Sequence, residues 1–426
     1  MPSLAIVTAE FITLARAQAT ALGHSDLPIA VIPHPLGSRA REEVRDIAEQ
    51  HVDAIVALAV AGAGGEAQIS SNKTNGYRVG HEAAFDLADD DSAINKRFRE
   101  RGWGDGLPVF APTAARVDEM LGCVRRDRHD VIARIAPGFG EATVELIAVN
   151  AVMAGCDPEY LPIVIAAVEA VAAPEFNLQA VQSTTNAATA WLIVNGPAVE
   201  QLGINAGSNC LGQGSWANAT LGRALHLIMQ NVGGARPGEM DQATQGQPGK
   251  FTFCCGEQTA GHPWQPLHVE RGYAEDTSTV TVVGASGTLN MLSSEKDARQ
   301  LLRVFADSMR YPTSNDYWCG GAPWIVIGPE HAAILGGAGI SKAEIKRELW
   351  EQSKMAANRR APGDIARTQD ARREELGKIT PETLLPISPC AEDIGIIVAG
   401  GSGLHSVYVP TFGNTRSVTR KVDGFR

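Results

Sequence analysis

The sequence predicts an α/β protein in which a small parallel layer precedes a large mixed α/β domain. Three observations lead to this fold class. Strand and helix patterns alternate strictly over residues 1–60, a polar glycine-rich stretch covers 61–91, and residues 92–426 mix both patterns in no single order. A chain of 426 residues is also long enough for more than one domain.

The N-terminal layer is predicted to hold three strands. Ala5–Val7, Ile29–Ile32 and Asp53–Val60 are apolar, and amphipathic helices at Phe11–Leu22 and Arg39–His51 separate them. Strands joined through helices pair in parallel, so the prediction is a small three-stranded parallel α/β layer. Three strands bury little surface on their own, so we expect this layer to pack against the rest of the chain or against a partner.

The stretch 61–91 is predicted to be a linker. It contains the glycine pair Gly64-Gly65, the serine pair Ser70-Ser71 and the acidic run Asp89–Asp91, with one short helical pattern at His81–Leu87. We therefore place the domain boundary here, with a large catalytic domain at 92–426.

The large domain has one helix with clear signals at both ends, Ser215–Val232. Ser215 can cap its first turn, and Gly233-Gly234 can end it. No internal repeat is evident in the sequence. Further helices are predicted at 113–121, 140–154, 158–173, 294–309, 330–335 and 341–352, and strands at 190–194, 251–254, 279–283, 324–327, 394–398 and 407–410.

Composition excludes several classes of protein. The formal net charge is −11 and no long basic block occurs, which argues against nucleic-acid binding. No apolar run approaches the roughly 20 residues of a membrane-spanning helix, and the N-terminus has no signal-peptide pattern. The seven cysteines include no CxxC pair, which is typical of free thiols in a reducing compartment. We expect a cytoplasmic protein.

The loop Gly207–Ser215 is a candidate anion site. It leads directly into the helix at Ser215, and helix N-termini offer free N–H groups and partial positive charge. The alternative is a turn whose glycines satisfy geometry only. The run also imitates a dinucleotide fingerprint, but no strand precedes it, so no nucleotide is assigned and the cofactor is left unknown. The substrate-binding residues predicted here are Asn209, Cys210, Gly212, Gly214 and Ser215.

A second candidate follows at the end of a predicted strand. Cys254 and Cys255 are adjacent, so their side chains should point to opposite faces, and Glu257 follows them. A nearby cation can lower a thiol's pKa and activate it, so Cys254 or Cys255 is a predicted nucleophile or redox thiol, with Glu257 also catalytic and Lys250 binding substrate. The alternative is that both cysteines are ordinary strand residues.

Histidines supply the predicted acid/base groups. His262 and His268 lie in a proline-stiffened loop soon after the thiols, and one positioned imidazole is enough for proton transfer. Their spacing fits no known metalloenzyme motif, so no metal ligand is assigned. His34, and His405 with Ser406, each follow a predicted strand, where α/β sheets bind ligands, and are predicted to line the substrate site. The alternative is that they occupy tight turns.

The first sixty residues carry a family resemblance. Val7–Phe11 and then Ile32–Gly37, with its Pro-His-Pro-Leu-Gly turn, resemble the latter part of bacterial UGSC-type (selenocysteine-Gly-Ser-Cys) proteins. More distantly they resemble the selenoprotein B subunit of glycine, sarcosine and betaine reductases. The remainder resembles an uncharacterised bacterial domain that accompanies such proteins.

The resemblance implies only that His34 lines a shared turn. The relatives carry their reactive motif upstream of this segment, so no residue here inherits it. Either a separate subunit supplies the reactive group, or the chain uses its own thiol, such as Cys254, Cys255 or Cys210.

These observations favour a thiol-dependent enzyme, an oxidoreductase or lyase, that acts on a small polar or anionic metabolite. Reductive or eliminative cleavage of a carbon–heteroatom bond is the expected reaction. One alternative is a non-redox lyase, hydratase or hydrolase that uses histidine and carboxylate or a metal. Another is a non-catalytic partner subunit of a thiol or selenol redox enzyme. We further expect an oligomer, either of this chain or with a small thiol- or selenol-bearing subunit, in which residues 1–60 form much of the contact.

Overall fold

The computed structural model of the chain describes residues 3–61, 84–87, 89–258 and 261–424. Within them the fold is mixed α/β, as predicted, with two four-stranded and three two-stranded sheets. Most of the predicted linker at 61–91 lies outside the described residues, and of the predicted short helix at 81–87 the residues 84–87 are not helical. The proposed division into domains stays a prediction.

The N-terminal layer has two strands instead of the predicted three. Ala5–Thr8 and Ile29–Ile32 pair in parallel, and the helices Ile12–Ala21 and Arg41–Ala61 accompany them. The prediction of a strand at Asp53–Val60 was wrong, because the second helix continues through it. No glycine or proline interrupts this stretch, and a short apolar run fits a helix as well as a strand.

The larger part of the chain is built around two four-stranded sheets. The first sheet consists of Thr189–Asn195, Cys254–Gly256, Thr279–Ala285 and Val418–Lys421. The second sheet consists of Leu289–Leu292, Trp324–Ile327, Gly395–Val398 and His405–Val409.

The two sheets have the same internal order, so the chain contains a structural repeat that the sequence analysis missed. In each sheet a central strand, Thr189–Asn195 or Trp324–Ile327, pairs in parallel with the strand on one side and antiparallel with the strand on its other side. That antiparallel neighbour pairs in turn with an outermost strand, again antiparallel. Matched rows of paired residues are Val418, Val282, Leu192 and Cys254 in the first sheet, and Leu289, Tyr408, Ile325 and Ile396 in the second.

The repeats are interlocked through their outermost strands. Leu289–Leu292 follows a strand of the first sheet in sequence but belongs to the second sheet, and Val418–Lys421 makes the reverse exchange. A sequence signal for the repeat exists. Trp191 and Trp324 are each followed by three aliphatic residues and then by a Gly-Pro pair. The first copy has one extra residue, Asn195, before its Gly-Pro pair.

The sheets face each other, and helices cover their outer surfaces. Trp191 and Ile193 from the first sheet, and Trp324 and Val326 from the second, share one buried apolar cluster between the sheets. One further apolar cluster lies between the first sheet and its helices, and another lies between the second sheet and its helices. This gives four layers, helix–sheet–sheet–helix, which bury the apolar faces of both sheets. The covering helices are Val144–Ala154, Leu161–Val171 and Trp216–Asn231 on the first sheet, and Ala298–Met309, Pro329–Gly337 and Lys342–Gln352 on the second.

Shorter elements complete the described chain. The predicted helix at 140–154 begins as a strand, Gly140–Thr143, which pairs with Val131–Ile135, and Met355–Ala356 pairs with Leu384–Leu385. The other α-helices are Asp91–Arg101, Ala114–Leu121, Leu178–Ser183, Ala198–Gln201, Leu267–Glu270, Asn315–Cys319, Pro362–Ala371 and Arg373–Leu376. Short 3-10 turns occur at Ala9–Phe11, Pro158–Tyr160, Pro174–Phe176, Pro248–Lys250, Ala357–Arg359 and Ala391–Asp393.

No single helix in the described part of the chain is both long and apolar enough to cross a membrane. The pair Pro158–Val171 and Pro174–Ser183, bent by 71°, meets those two criteria only when taken together.

Candidate active site between the two sheets

The two adjacent cysteines point to opposite faces of the first sheet, as predicted. Cys254 lies in the apolar core under the helices, and Cys255 lies in the cluster between the sheets. The strand begins at Cys254 rather than ending there, because residues 248–250 form a 3-10 turn before it.

Cys254 is in the environment of an inert thiol. It is 4% exposed, and burial raises its pKa well above the ordinary value. A thiol that stays protonated is a poor nucleophile. The surroundings of Cys254 therefore favour the alternative named for it, an ordinary packing role.

Cys255 forms a pair with Cys210, which is 45 residues away in sequence. Hydrogen bonding between the two thiols is the largest cause of a lowered pKa at Cys210 and of a raised pKa at Cys255. Backbone N–H groups of Cys210 and Leu211 also lower the pKa of Cys210. Both sulfurs lie in the apolar cluster between the sheets, and the opposite pKa directions make Cys210 the more readily ionised thiol of the two.

The Trp191 indole extends this chain of donors. Its Nε1 is buried without a conventional hydrogen-bond partner, and its interaction with the Cys255 sulfur acts to lower the pKa of that thiol. A negative charge on Cys210 would be stabilised by two donors in series, the Cys255 S–H and the Trp191 N–H. An indole N–H can only donate, which fixes the direction of the chain.

The loop that carries Cys210 forms one wall of a pocket. The pocket has a volume of about 500 Å³ and lies at the start of the helix Trp216–Asn231. None of the side chains that line it carries a formal charge. They belong to Tyr160, Gly203, Asn205, Ser208, Gln213, Gly214, Ser215, Trp216 and Ala217.

Hydrogen bonds within the loop explain its shape. Ser215 caps the helix by accepting from Asn218 N, as predicted. Asn209 adopts a positive φ of 58° and donates from Nδ2 to Gln213 O at 2.7 Å. Asn205 holds the other end, since its Nδ2 donates to Ser208 O at 2.9 Å.

Two glycines let the loop close on itself and on the second sheet. A Cβ at Gly212 would lie 2.3 Å from Asn209 Oδ1, so a side chain there would displace that amide. A Cβ at Gly401, just beyond a strand of the second sheet, would lie 2.1 Å from Ser208 Oγ. The position of the pocket wall therefore depends on both repeats.

A buried carboxyl group follows Cys255 on the same face of its strand. Glu257 is fully buried, and its Oε2 accepts from Asn195 Nδ2 at 2.5 Å and from Leu267 N at 2.6 Å. Its Oε1 accepts no hydrogen bond, and Lys342 Nζ lies 3.8 Å from it. Burial raises the pKa of Glu257, although Lys342 acts to lower it.

The matched positions of the second sheet are apolar or glycine. Because the two sheets have the same register, Ile397 is the structural equivalent of Cys255, Ala399 is that of Glu257, and Gly328 is that of Asn195. The architecture of a sheet in this position therefore does not require a thiol, a carboxyl group or an amide. The first sheet alone carries these groups.

The two predicted histidine bases lie near the Glu257 end of the site. Burial, with a smaller effect of Lys342, lowers the pKa of His262 to about 4, and its Nε2 is buried without a partner. Burial also lowers the pKa of His268, whose Nε2 contacts Glu275 O at 3.2 Å. Among the described residues no hydrogen bond joins either imidazole to a cysteine.

Four of the predicted binding residues have other partners. Lys250 forms an ion pair with Asp241 at 2.5 Å, and His34 Nδ1 contacts Thr8 Oγ1 at 2.9 Å. His405 Nδ1 contacts Asn290 Oδ1, and Ser406 Oγ contacts the buried His331. These four residues do not line the 500 Å³ pocket, so their assignment as binding residues gains no support. Of the loop residues predicted to bind substrate, Gly214 and Ser215 line the pocket, whereas Asn209, Cys210 and Gly212 do not.

Sequence reasoning missed three residues of the site. Trp191 lay within the predicted strand at 190–194, Asn195 just beyond its end, and Lys342 within the predicted helix at 341–352, and none of them was singled out. The available signal was alternation, because 191, 193 and 195 share one face of a strand. Within the described residues, no group of three or more His, Cys, Asp or Glu side chains is arranged to hold a metal ion.

Comparison with known proteins adds one relationship. Residues 1–61 match the model of the UGSC family, which confirms the UGSC-type resemblance of the N-terminal segment. A relationship to selenoprotein B has no such support. No curated protein matches the chain, so the region that contains the candidate site has to be interpreted from its own geometry.

Proposed function

We propose that this chain is a thiol-dependent enzyme that acts on a small anionic metabolite, with Cys210 as its reactive thiol. One observation carries the proposal. Of the seven cysteines, Cys210 alone has a lowered pKa, and it lies in the loop that forms a wall of the pocket. A thiol that ionises more readily than the others, in a loop that borders a polar pocket, is suited to nucleophilic catalysis.

The pocket suits a small anion for electrostatic reasons. Its lining has no carboxylate to repel a negative charge, and the helix Trp216–Asn231 begins there. Free N–H groups and the helix dipole at such a position stabilise a carboxylate or phosphate. The hydroxyl of Ser208 and the amides of Asn205 and Gln213 add polar contacts.

A reductive cleavage follows from the thiol pair. The Cys210 thiolate attacks the carbon that bears the heteroatom, a C–S bond forms, and the heteroatom leaves with its bonding electrons. Cys255 gives its proton to the departing heteroatom, and the thiolate so formed attacks the Cys210 sulfur, which forms a disulfide and releases the carbon as a carbanion that takes a proton from solvent. The substrate gains two electrons and the cysteine pair loses two, so an external dithiol must reduce the disulfide before the next turnover.

Glu257 favours a second candidate, a non-redox lyase or hydratase. A buried carboxyl group with a raised pKa and one oxygen that accepts no hydrogen bond is suited to proton transfer. On this alternative Glu257 would be the acid/base group and the cysteines would be dispensable. Loss of activity in Glu257→Gln with full activity in Cys210→Ser would favour it.

The proposal can be tested without knowing the substrate, by comparing two alkylating reagents. Iodoacetate carries a carboxylate and iodoacetamide does not, and both label thiolates. We expect saturable labelling of Cys210 by iodoacetate, and a ratio of iodoacetate to iodoacetamide rates at least about tenfold higher than at the exposed Cys123. Equal ratios at both cysteines would remove support for an anion-binding thiol site.

A further inference from the structure

A buried arginine without a counter-ion lies far along the chain from the pocket residues. Arg360 is 7% exposed, its Nε is buried without a hydrogen-bond partner, and its Nη1 donates to Thr368 Oγ1 at 2.6 Å. Within the described residues it makes no ion pair. An uncompensated buried charge is costly in a folded protein.

A second guanidinium lies on the same aromatic ring. The guanidinium carbons of Arg360 and Arg367 lie 5.7 Å and 5.5 Å from the centre of the Trp318 ring. Arg367 also donates from Nη2 to Gly37 O at 2.7 Å and makes no ion pair among the described residues. Gly37 ends the Pro-His-Pro-Leu-Gly turn, so this cationic cluster joins the UGSC-like segment to the rest of the chain.

A nearby buried arginine, Arg372, differs from Arg360 in having an acidic partner. Arg372, also buried, forms an ion pair with Glu375 and donates to two backbone carbonyls. Asp364 affects Arg360 electrostatically but is not in ion-pair contact with it. The fold therefore neutralises one buried arginine and leaves the adjacent one without a partner.

We propose that Arg360 and Arg367, which both contact the Trp318 ring, bind the oxyanion group of a small carboxylate or phosphate ligand. The guanidinium fork matches the geometry of both oxyanions and binds them in bidentate fashion. The indole holds the two cations in place through cation–π contacts.

Cys319 provides an internal reporter of occupancy. It follows Trp318 and is partly buried, and both Arg372 and Arg360 act to lower the pKa of its thiol against the larger effect of burial. An anion bound to Arg360 cancels part of that cationic field. Occupancy of the site should therefore slow alkylation of Cys319.

The test titrates the full chain with potassium phosphate or potassium acetate against potassium chloride at equal ionic strength. We expect at least one of the two oxyanions to raise the midpoint of thermal unfolding saturably and to slow labelling of Cys319. Phosphate alone or acetate alone identifies the oxyanion. No saturable effect of either, beyond that of chloride, would overturn the proposal.

Matched variants locate the effect. Arg360→Gln should weaken oxyanion binding by about tenfold or more, whereas Arg359→Gln, an exposed neighbour with the same change in charge, should leave it unchanged. Arg367→Gln is exposed and expected to fold, and it should also weaken binding. Unchanged binding in Arg367→Gln and Arg360→Gln would contradict the site. Because it involves neither Cys210 nor the pocket, this outcome is independent of the proposed function.

Discussion

Trp191 and Trp324 occupy equivalent positions in the two sheets, and their rings meet edge to face with centroids 5.9 Å apart. Both indole N–H groups are buried without a conventional partner. Only Trp191 has a sulfur beside it, because the position of Cys255 is taken by Ile397 in the second sheet. The tryptophan is therefore common to both sheets, whereas Cys255, Glu257 and Asn195 occur in the first sheet only.

The Cys255 thiol is expected to control the reactivity of Cys210. In Cys255→Ala the largest cause of the lowered pKa is removed, so the pH profile of Cys210 alkylation should move to higher pH. The matched control is Cys254→Ala, which removes the neighbouring thiol on the other face of the strand and should leave the profile in place. Equal shifts in both variants would show that general loosening, not the thiol pair, is responsible.

The loop wall is expected to depend on Gly401. In Gly401→Ala the new methyl group has to displace Ser208, whose Oγ and Cα would lie 2.1 Å and 3.0 Å away. Saturable labelling of Cys210 by iodoacetate should weaken by about tenfold while the protein stays folded. Gly363→Ala, where nothing lies within 4 Å, is the control. The same labelling in both variants would remove Gly401 from the account of the pocket.

Lys342 is expected to stabilise the ionised form of Glu257. Lys342 Nζ lies 3.8 Å from Glu257 and 3.1 Å from Glu270, and in Lys342→Met Glu270 keeps Lys346 as a partner whereas Glu257 is left as a buried carboxylate without a cation. The variant should therefore lower the free energy of unfolding by about 3 kcal/mol at pH 8. The loss should shrink as pH falls through the raised pKa, because the protonated carboxyl group needs no cation. Lys296→Met, at an exposed lysine, is the control for charge, and a pH-independent loss would contradict the pairing.

Asp316 is expected to give a second pH signature. It is fully buried, accepts hydrogen bonds from Tyr408 Oη and Thr411 Oγ1, and burial raises its pKa from 3.8 to about 6. Because the folded state holds the proton more tightly, its contribution to stability is present below pH 3.8 and is lost as pH rises through about 6. The shift of about 2 units corresponds to about 3 kcal/mol.

Asp316→Asn should remove this pH dependence. The free energy of unfolding of the unmodified chain, minus that of the variant, should fall by about 3 kcal/mol between pH 3.5 and pH 7. Denaturant unfolding at several pH values measures it, and Asp276→Asn at an exposed position is the control. A difference that does not change with pH would mean that the Asp316 pKa is close to its ordinary value.

Local signals in the sequence were sufficient for parts of the fold. The helix after Ser215 was predicted because its cap and its apolar stripe lie within one segment. The strand expected at Asp53–Val60 was wrong because apolar residues alone do not separate a strand from the continuation of a helix. Residues 289–292 and 418–421 were not predicted as strands, since they exchange between the sheets and depend on long-range pairing.

The candidate site was predictable in its residue types but not in its pairings. Cys210, Cys255 and Glu257 were each singled out, but the contact between Cys210 and Cys255 forms only when the loop packs against the first sheet. Arg360 could not be recognised as buried, because arginines in a helical, polar stretch are normally solvated. The burial of Arg360 and the contact between Cys210 and Cys255 both arise only when the layers pack together, so no local sequence pattern predicts them.

One measurement tests the central claim most directly: a short pulse of iodoacetamide at pH 6, followed by peptide mapping of all seven cysteines. Cys210 should be labelled first, ahead of the more exposed Cys123 and Cys390, because thiolate content decides reactivity at that pH. Cys210→Ser should abolish the fast phase without changing labelling of the other six. If Cys210 is labelled no faster than Cys123, it is not an activated thiol, and the thiol-dependent mechanism proposed for this chain is wrong.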